Sequence, residues 1–145
     1  MSRILKNLYL GDAMNAADYS WLKRRGITHV VNCAIEHGEY HKDKLSYLSL
    51  KLDDVPEQNI KAALDKSYRY IDTALNNNQA VLVHCHAGIS RSSSVVINYI
   101  MRKYNISFKG SMAFVKNSRS IVDPNEGFVK QLKKVEKKNV GVKVM

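Results

Sequence analysis

Apolar positions follow two rhythms along this chain, and the rhythms alternate. Thr28 to Cys33 is a β-branched apolar run bounded by Gly26, the pattern of a strand. Tyr47 to Leu52 alternates, with Leu48, Leu50 and Leu52 on one face. The spacing then changes to three and four. Ile60, Ala63, Leu64, Ser67, Ile71 and Leu75 predict a helix that Asn76-Asn77-Asn78 ends. Earlier in the chain, Asn7 to Gly11 reads as a short strand and Asn15 to Arg25 as a helix stopped by Gly26. His37 to Lys44 is polar and reads as a loop.

The second half repeats the alternation. Ala80 to His84 is the next strand, and its apolar, β-branched character suits a central position covered on both faces. Ser92 to Arg102 is apolar nearly all round and predicts a buried helix. Ser107 is placed to cap a helix that ends near Asn117, with Phe108, Met112 and Val115 inward. Asp123-Pro124-Asn125-Glu126 reads as a capping box with Pro at the first helical position. The last helix would bury Phe128, Leu132 and Val135. Strands alternating with helices predict an α/β fold with a central, largely parallel, twisted sheet flanked by helices. In such sheets, ligands bind at the carboxyl ends of the strands. At 145 residues, with 45% apolar, the chain is the size of one domain spanning 1–145.

One such strand end carries chemistry. After Val81-Leu82-Val83 come His84-Cys85-His86-Ala87-Gly88-Ile89-Ser90-Arg91-Ser92, and then the buried helix. A helix N-terminus offers unpaired N–H groups and the positive end of a dipole, which suits an anion. The same field favours the thiolate of a cysteine placed there. Arg91 has the fork geometry to grip two oxygens of one phosphate, and Gly88 lets backbone N–H groups approach it. A bound anion would also explain a cation beside a positive helix end. Together these parts describe a phosphate-ester hydrolase working through a phosphocysteine. A leaving oxygen needs a proton, and Asp53 and Asp54 follow the third predicted strand. Asp54 continues the series Leu48, Leu50, Leu52 if the chain stays extended, whereas Asp53 continues Ser49 and Lys51. His84-Cys85-His86 also has metal-ligand chemistry, but no second ligand pair with suitable spacing follows it, so a metal is not expected.

The segment HCHAGISRS resembles the signature loop HCxxGxxR of the cysteine-dependent protein phosphatases, and its AGxSRS portion is most similar to the dual-specificity branch. Leu8-Tyr9-Leu10-Gly11, Gly26-Ile27-Thr28-His29-Val30-Val31-Asn32, Asp53-Asp54 and Pro124-Asn125-Glu126-Gly127-Phe128 fall in that family's order, so the likeness covers nearly the whole chain. It implies a protein tyrosine phosphatase-like fold, with neither metal nor cofactor. Cys85 would be the nucleophile, and His86, Ala87, Gly88, Ile89, Ser90 and Arg91 the phosphate-binding loop. Ser92 would hydrogen-bond the departing thiolate and Asp54 would be the general acid. His84 would be structural, Asn125 would brace the loop, and Asn32 with Ser118-Arg119-Ser120 would support it. Cys33 matches a position where several relatives carry a second cysteine able to trap an oxidised nucleophile.

The resemblance also sorts substrates. Tyrosine-only members carry extra segments that deepen the pocket, for which this chain has no room, so phosphotyrosine and phosphoserine or phosphothreonine of proteins are expected. Phosphoinositide members place lysines within the loop, where this chain has His86 and Ile89. RNA triphosphatase members place Asn before the Arg, where it has Ser90. The alternatives are hydrolysis of lipid, glycan or RNA 5′-phosphates, or binding of phosphoresidues without turnover. Binding-only relatives usually lack the Cys or the acid, and both are present.

Bulk properties narrow the setting. No apolar run approaches a membrane span, and no secretory h-region, myristoylation Gly or prenylation box is expected. Two cysteines make no disulfide framework, which predicts a reducing compartment, cytoplasmic or nuclear. The net charge of +10 favours anionic partners, and much of the excess lies in Lys130 to Lys143. No aromatic side chains interleave there to stack bases, so nucleic acid is not expected. The oligomeric state has no signature in the sequence.

Overall fold

The computed structural model describes residues 1–138. Its elements are β1 (Ser2–Leu5), β2 (Leu8–Gly11), α1 (Ala13–Ala17), α2 (Tyr19–Arg24), β3 (Ile27–Ala34), β4 (Ser46–Leu52), α3 (Lys61–Asn76), β5 (Ala80–His84), α4 (Arg91–Tyr104), α5 (Phe108–Ser118) and α6 (Glu126–Lys138). The sheet runs β1-β2-β5-β3-β4. β2, β5, β3 and β4 are parallel, and β1 is antiparallel to β2. The expectation of an α/β fold with a largely parallel sheet therefore holds, β1 being the antiparallel strand of a mixed five-stranded sheet.

The apolar pattern sets the layers. β5 lies between β2 and β3, and all five of its residues are buried. On one face, Val31, Val81 and Val83 pack with Leu64, Ile71, Val96, Ile100, Phe128 and Leu132 in the main core. On the other, Leu82 and Val30 pack with Ala16 and Leu22 of α1 and α2. Two-sided cover is why β5 can be apolar from Ala80 to Val83. No helix among the described residues is long and apolar enough to cross a membrane. The basic stretch lies on α6 as far as Lys138, and its remainder to Lys143 lies outside the described residues.

Four local expectations are corrected. β1 has no four-residue signal of its own and forms because Asn7, at φ +68°, turns the chain back onto β2. The helix expected over Asn15 to Arg25 is two short helices, because Asp18 caps the second one by accepting from the Trp21 N–H. The last helix is capped by Asn125, not Asp123. Its Oδ1 accepts from the Phe128 N–H at 2.9 Å, and Pro124 precedes the cap. Finally, β4 is not extended to its end. Lys51 sits at φ +54°, and three steps from Ser49 to Leu52 face two from Asn32 to Ala34, which is a bulge.

Candidate active site

The loop from β5 to α4 is shaped by where its carbonyls go. The Cys85 carbonyl accepts from His84 Nδ1 at 3.0 Å, and that of His86 from the Ala13 N–H at 3.0 Å. Arg119 donates to the Ala87 and Gly88 carbonyls at 3.2 and 2.9 Å. The Asp123 N–H donates to the Ile89 carbonyl at 2.8 Å, and the Ser94 N–H to that of Ser90 at 3.0 Å. Every carbonyl from residue 85 to 90 is thus drawn away from the loop's interior. A turn held this way leaves its N–H groups on the concave side, which makes an anion nest. Gly88 adopts φ +69°, and a Cβ there would stand 2.7 Å from the Gly11 carbonyl oxygen and 2.6 Å from Arg119 Nη2. Only glycine fits.

Cys85 lies at the start of this nest, buried. Its Sγ is 3.1 Å from Ser92 Oγ, so a thiolate there accepts from the hydroxyl. His84 is also buried, and burial pushes its pKa down to about 4. Its Nδ1 faces a carbonyl, so Nδ1 carries the proton of a neutral ring. The structural role expected of His84 fits this. It holds the loop and carries no charge.

Arg91, first residue of α4, is buried against β3 and β4. Nη1 donates to Glu36 Oε1 at 2.6 Å and to the Leu52 carbonyl at 2.8 Å, and Nη2 donates to Glu36 Oε2 at 2.7 Å. The pair holds the Glu36 carboxyl at about 2, chiefly through the hydrogen bonds from Arg91. A guanidinium has five N–H donors. Three are used, and Nε is buried without a protein partner. The remaining edge, Nε–H with the second Nη2 hydrogen, has the spacing that binds two oxygens of a phosphate. Glu36 therefore orients the guanidinium without occupying its phosphate edge. The bulge at Lys51 belongs here too, because it brings the Leu52 carbonyl to both Arg91 and the Ile35 N–H.

Asp54 is exposed, and its Oδ1 accepts from Asn125 Nδ2 at 3.0 Å. The Asn125 backbone N–H donates to Ser90 Oγ at 2.9 Å. Asn125 thus ties the Asp54 loop, the signature loop and the cap of α6 together, a fuller role than bracing alone. Asp54 contributes to the field at Arg91. Asp53 bonds the other way, its N–H donating to Gln58 Oε1 at 3.0 Å. The segment after Asp54 is seated on α6. A Cβ at Gly127 would overlap the Pro56 carbonyl, and Gln131 donates to the Gln58 carbonyl and accepts from the Ile60 N–H. Asp54 is the carboxylate that Asn125 holds, but the alternation that singled it out is broken by Lys51.

The sequence comparisons agree with this geometry. The family model for the dual specificity phosphatase catalytic domain matches residues 8–138. The chain belongs to that family. It is 34% identical over 137 residues to dual specificity protein phosphatase 1B of Arabidopsis thaliana, covering 94% of this chain and 82% of that one. It is 38% identical over 138 residues to protein-tyrosine-phosphatase MKP1 of the same plant, but there it spans 18% of the relative's length. The crystal structure of human DUSP28 superposes with a TM-score of 0.92 at 29% identity, over 97% of this chain and 99% of that one.

As a dual specificity phosphatase domain, the chain carries one site residue that the sequence reading missed. Glu36 supplies two of the three bonds that hold Arg91, and its only sequence signal is its place just beyond the carboxyl end of β3, beside β5. Its neighbour His37 opens a stretch that the sequence marks only as polar loop, yet its Nε2 lies 3.0 Å from Nδ1 of His86. Asn32 is buried and donates to the His37 carbonyl at 2.6 Å, so the supporting role expected of it extends to this turn. Ile89 lies partly exposed on the signature loop.

The placement of Asp54 gives a direct test. Asp54→Asn is expected to slow hydrolysis of phosphothreonine peptides by about 10²–10⁴-fold, the usual worth of a general acid. It should affect an activated aryl phosphate much less, because a good leaving group does not need the proton. Asp53→Asn should change neither. If the two single variants exchange behaviour in these rate measurements, Asp53 is the acid.

Proposed function

We propose that the domain dephosphorylates protein side chains, phosphotyrosine as well as phosphoserine and phosphothreonine, through a phosphocysteine on Cys85 and without a metal. The observation that carries this is the buried Arg91 edge left open beside Cys85 in a loop whose carbonyls all point outward. The Cys85 thiolate attacks phosphorus, the phosphorus–oxygen ester bond breaks, and Asp54 protonates the leaving oxygen. Water then attacks phosphorus, Asp54 takes its proton, and inorganic phosphate leaves. Ser92, 3.1 Å from the sulfur, stabilises the thiolate that this second step restores. The nest and Arg91 meet the charge spread over the phosphoryl oxygens in both steps.

Protein rather than inositide substrates are favoured by the loop itself, which offers His86 and Ile89 where extra cations would serve a polyphosphorylated ring. Turnover rather than mere binding is favoured by the retained Cys85 and Asp54. A reducing compartment, cytoplasmic or nuclear, suits a site built on a free thiol. A panel of phosphopeptides, inositol phospholipids and triphosphate-ended RNA tests the reading. Phosphopeptides of both classes should be hydrolysed at the highest kcat/KM. Faster release from a lipid or RNA would overturn the substrate class.

Redox control of the same thiol is part of the proposal. Asn32 lies opposite His84 in the register of β3 and β5, so Cys33 and Cys85 follow side by side. Neighbouring strands are roughly 5 Å apart, within the ~7 Å that a disulfide spans. Burial, then the charge of Cys85, pushes the Cys33 thiol well up, so peroxide oxidises Cys85 first. The Cys85 sulfenic acid then condenses with the Cys33 thiol, releasing water. After mild peroxide, mass spectrometry should find a Cys33–Cys85 peptide that dithiothreitol reverses, and Cys33→Ser should recover less activity. Equal recovery with no linked peptide would leave Cys33 as core packing.

A further inference from the structure

Hydrolysis explains Glu36 and uses the backbone of His86, but it gives no work to the imidazole rings of His37 and His86. They are 49 positions apart in sequence, one on the turn after β3 and one on the signature loop. Their ring planes are 7° from parallel with centroids 5.2 Å apart, and His37 Nε2 meets His86 Nδ1 edge to edge at 3.0 Å, a hydrogen bond from one ring to the other. One nitrogen from each ring and one oxygen of Glu36 all lie within 4.8 Å of one another. We propose that Glu36, His37 and His86 form a binding site for a divalent metal ion of the zinc type, and that the bound ion inhibits the phosphatase by bridging the two walls of its entrance.

The donor set is right for zinc. Two imidazoles and a carboxylate are a common zinc triad, and a fourth position stays open to solvent in such sites. With zinc–nitrogen bonds of about 2.0–2.1 Å, tetrahedral ligands lie roughly 3.3 Å apart, so the two nitrogens part by a few tenths of an ångström and the exposed His86 ring turns out of its hydrogen bond with His37 to aim its lone pair at the ion. Glu36 need not release Arg91. A carboxylate has about four lone-pair sites, and the guanidinium uses one on each oxygen.

The surroundings look like those of a metal centre as well. A ligating histidine normally donates its second ring N–H to a fixed partner. His37 has a partner in the half-exposed Tyr40, whose hydroxyl is hydrogen-bonded to its Nδ1. The backbone of His37 is fixed by buried Asn32, and that of His86 by the Ala13 N–H. Arg91 anchors Glu36 from the inside. Glu36 and His86 are exposed and His37 is half-buried, so an ion can enter from solvent. Once bound, it ties the β3–β4 turn to the signature loop across the path that a phosphorylated side chain must take to Cys85.

Metal binding and inhibition are read separately, so that the site is judged independently of the proposed phosphatase activity on which the inhibition rests. Zinc ion alone, in competition with a chromogenic chelator, is titrated into the Cys85→Ser protein, which removes the Cys85 thiolate as a ligand. One zinc should bind. Added to Cys85→Ser, His37→Gln should abolish this binding, and Tyr40→Phe should weaken it by about tenfold or more, the usual effect of removing a ligand's fixed partner. With cysteine in place, zinc should inhibit hydrolysis of an aryl phosphate reversibly, and EDTA should restore the rate. His37→Gln should match the parent's rate without metal and resist zinc. No zinc on Cys85→Ser, or equal affinity with His37→Gln, would overturn the site. A cobalt(II) spectrum of the parent showing thiolate charge transfer would also overturn it, by placing the ion on Cys85. Zinc bound with turnover unchanged would overturn the inhibition.

Discussion

Cys85→Ser is expected to lower kcat by at least about 10⁴-fold while leaving the affinity for phosphate or vanadate within a few-fold of the parent. Loss of an enzyme's nucleophile costs on the order of 10⁶ where a base assists it, and here the replacement would have no base at all. His84 is the nearest imidazole in sequence, but its proton sits on Nδ1 against the Cys85 carbonyl and its Nε2 is buried without a partner. Burial holds it neutral down to about pH 4, so it neither activates a hydroxyl nor supplies a cation. A serine would therefore stay protonated, and an unassisted alcohol is a poor nucleophile. Binding survives because it is made elsewhere, by the Arg91 edge and the nest. The fold survives too, since Ser92 Oγ can bond an oxygen as it bonds the sulfur. Steady-state assays with phosphotyrosine and phosphothreonine peptides, beside calorimetric titration with vanadate, read both halves. Retention of a percent or more of the parental kcat, in protein free of contaminating phosphatase, would remove Cys85 as the nucleophile.

The chemistry of the loop was legible because its parts are consecutive. An apolar strand, a cysteine, a glycine, an arginine and a helix start occupy Val81 to Ser92, and the fold sets them on one strand-to-helix loop. β3, β5, α3, α4 and α5 were legible for a similar reason, since their apolar periods persist for five residues or more. What was lost depended on single backbone angles or on contacts across the sheet. The left-handed Lys51 leaves no mark in an alternating string, yet it shifts the register at which Asp53 and Asp54 emerge. Asn125 therefore holds the side chain that strand parity points to, although the strand does not stay extended. Asp18 splits a helix that looked continuous because an aspartate reads equally well as an exposed helical residue.

Glu36 shows the other limit. Arg91 beside a positive helix end demanded an anion, and that demand was legible. The sequence reading assigned it wholly to the phosphate. The protein supplies a carboxylate of its own from a turn 55 residues away, a pairing that only the β5–β3 neighbourhood creates. No local pattern distinguishes this glutamate from Glu39, three positions on, which accepts from Ser49.

That pairing shapes what removal of the arginine does. Arg91→Ala should reduce kcat by about 10³–10⁵-fold, the range found when a phosphoryl-binding arginine is lost, and should also raise KM. The KM effect has two sources. Two hydrogen bonds to the phosphate disappear, and the Glu36 carboxylate is left ionised at the site with no cation between it and a dianionic substrate. A like charge so close opposes binding directly. The double variant Arg91→Ala/Glu36→Gln should therefore recover part of the lost affinity while kcat stays low, because neutralising Glu36 removes repulsion but restores no donor. Arg91→Lys should keep the carboxylate paired and so raise KM less than alanine does. Its kcat should still fall steeply, since an ammonium cannot hold Glu36 and Leu52 on one side and two phosphoryl oxygens on the other. Measured kcat and KM for the four proteins decide the matter, with thermal melts to show that each is folded. If Glu36→Gln fails to improve KM in the alanine background, Glu36 acts only as a tether for Arg91 and its charge is not felt by the substrate.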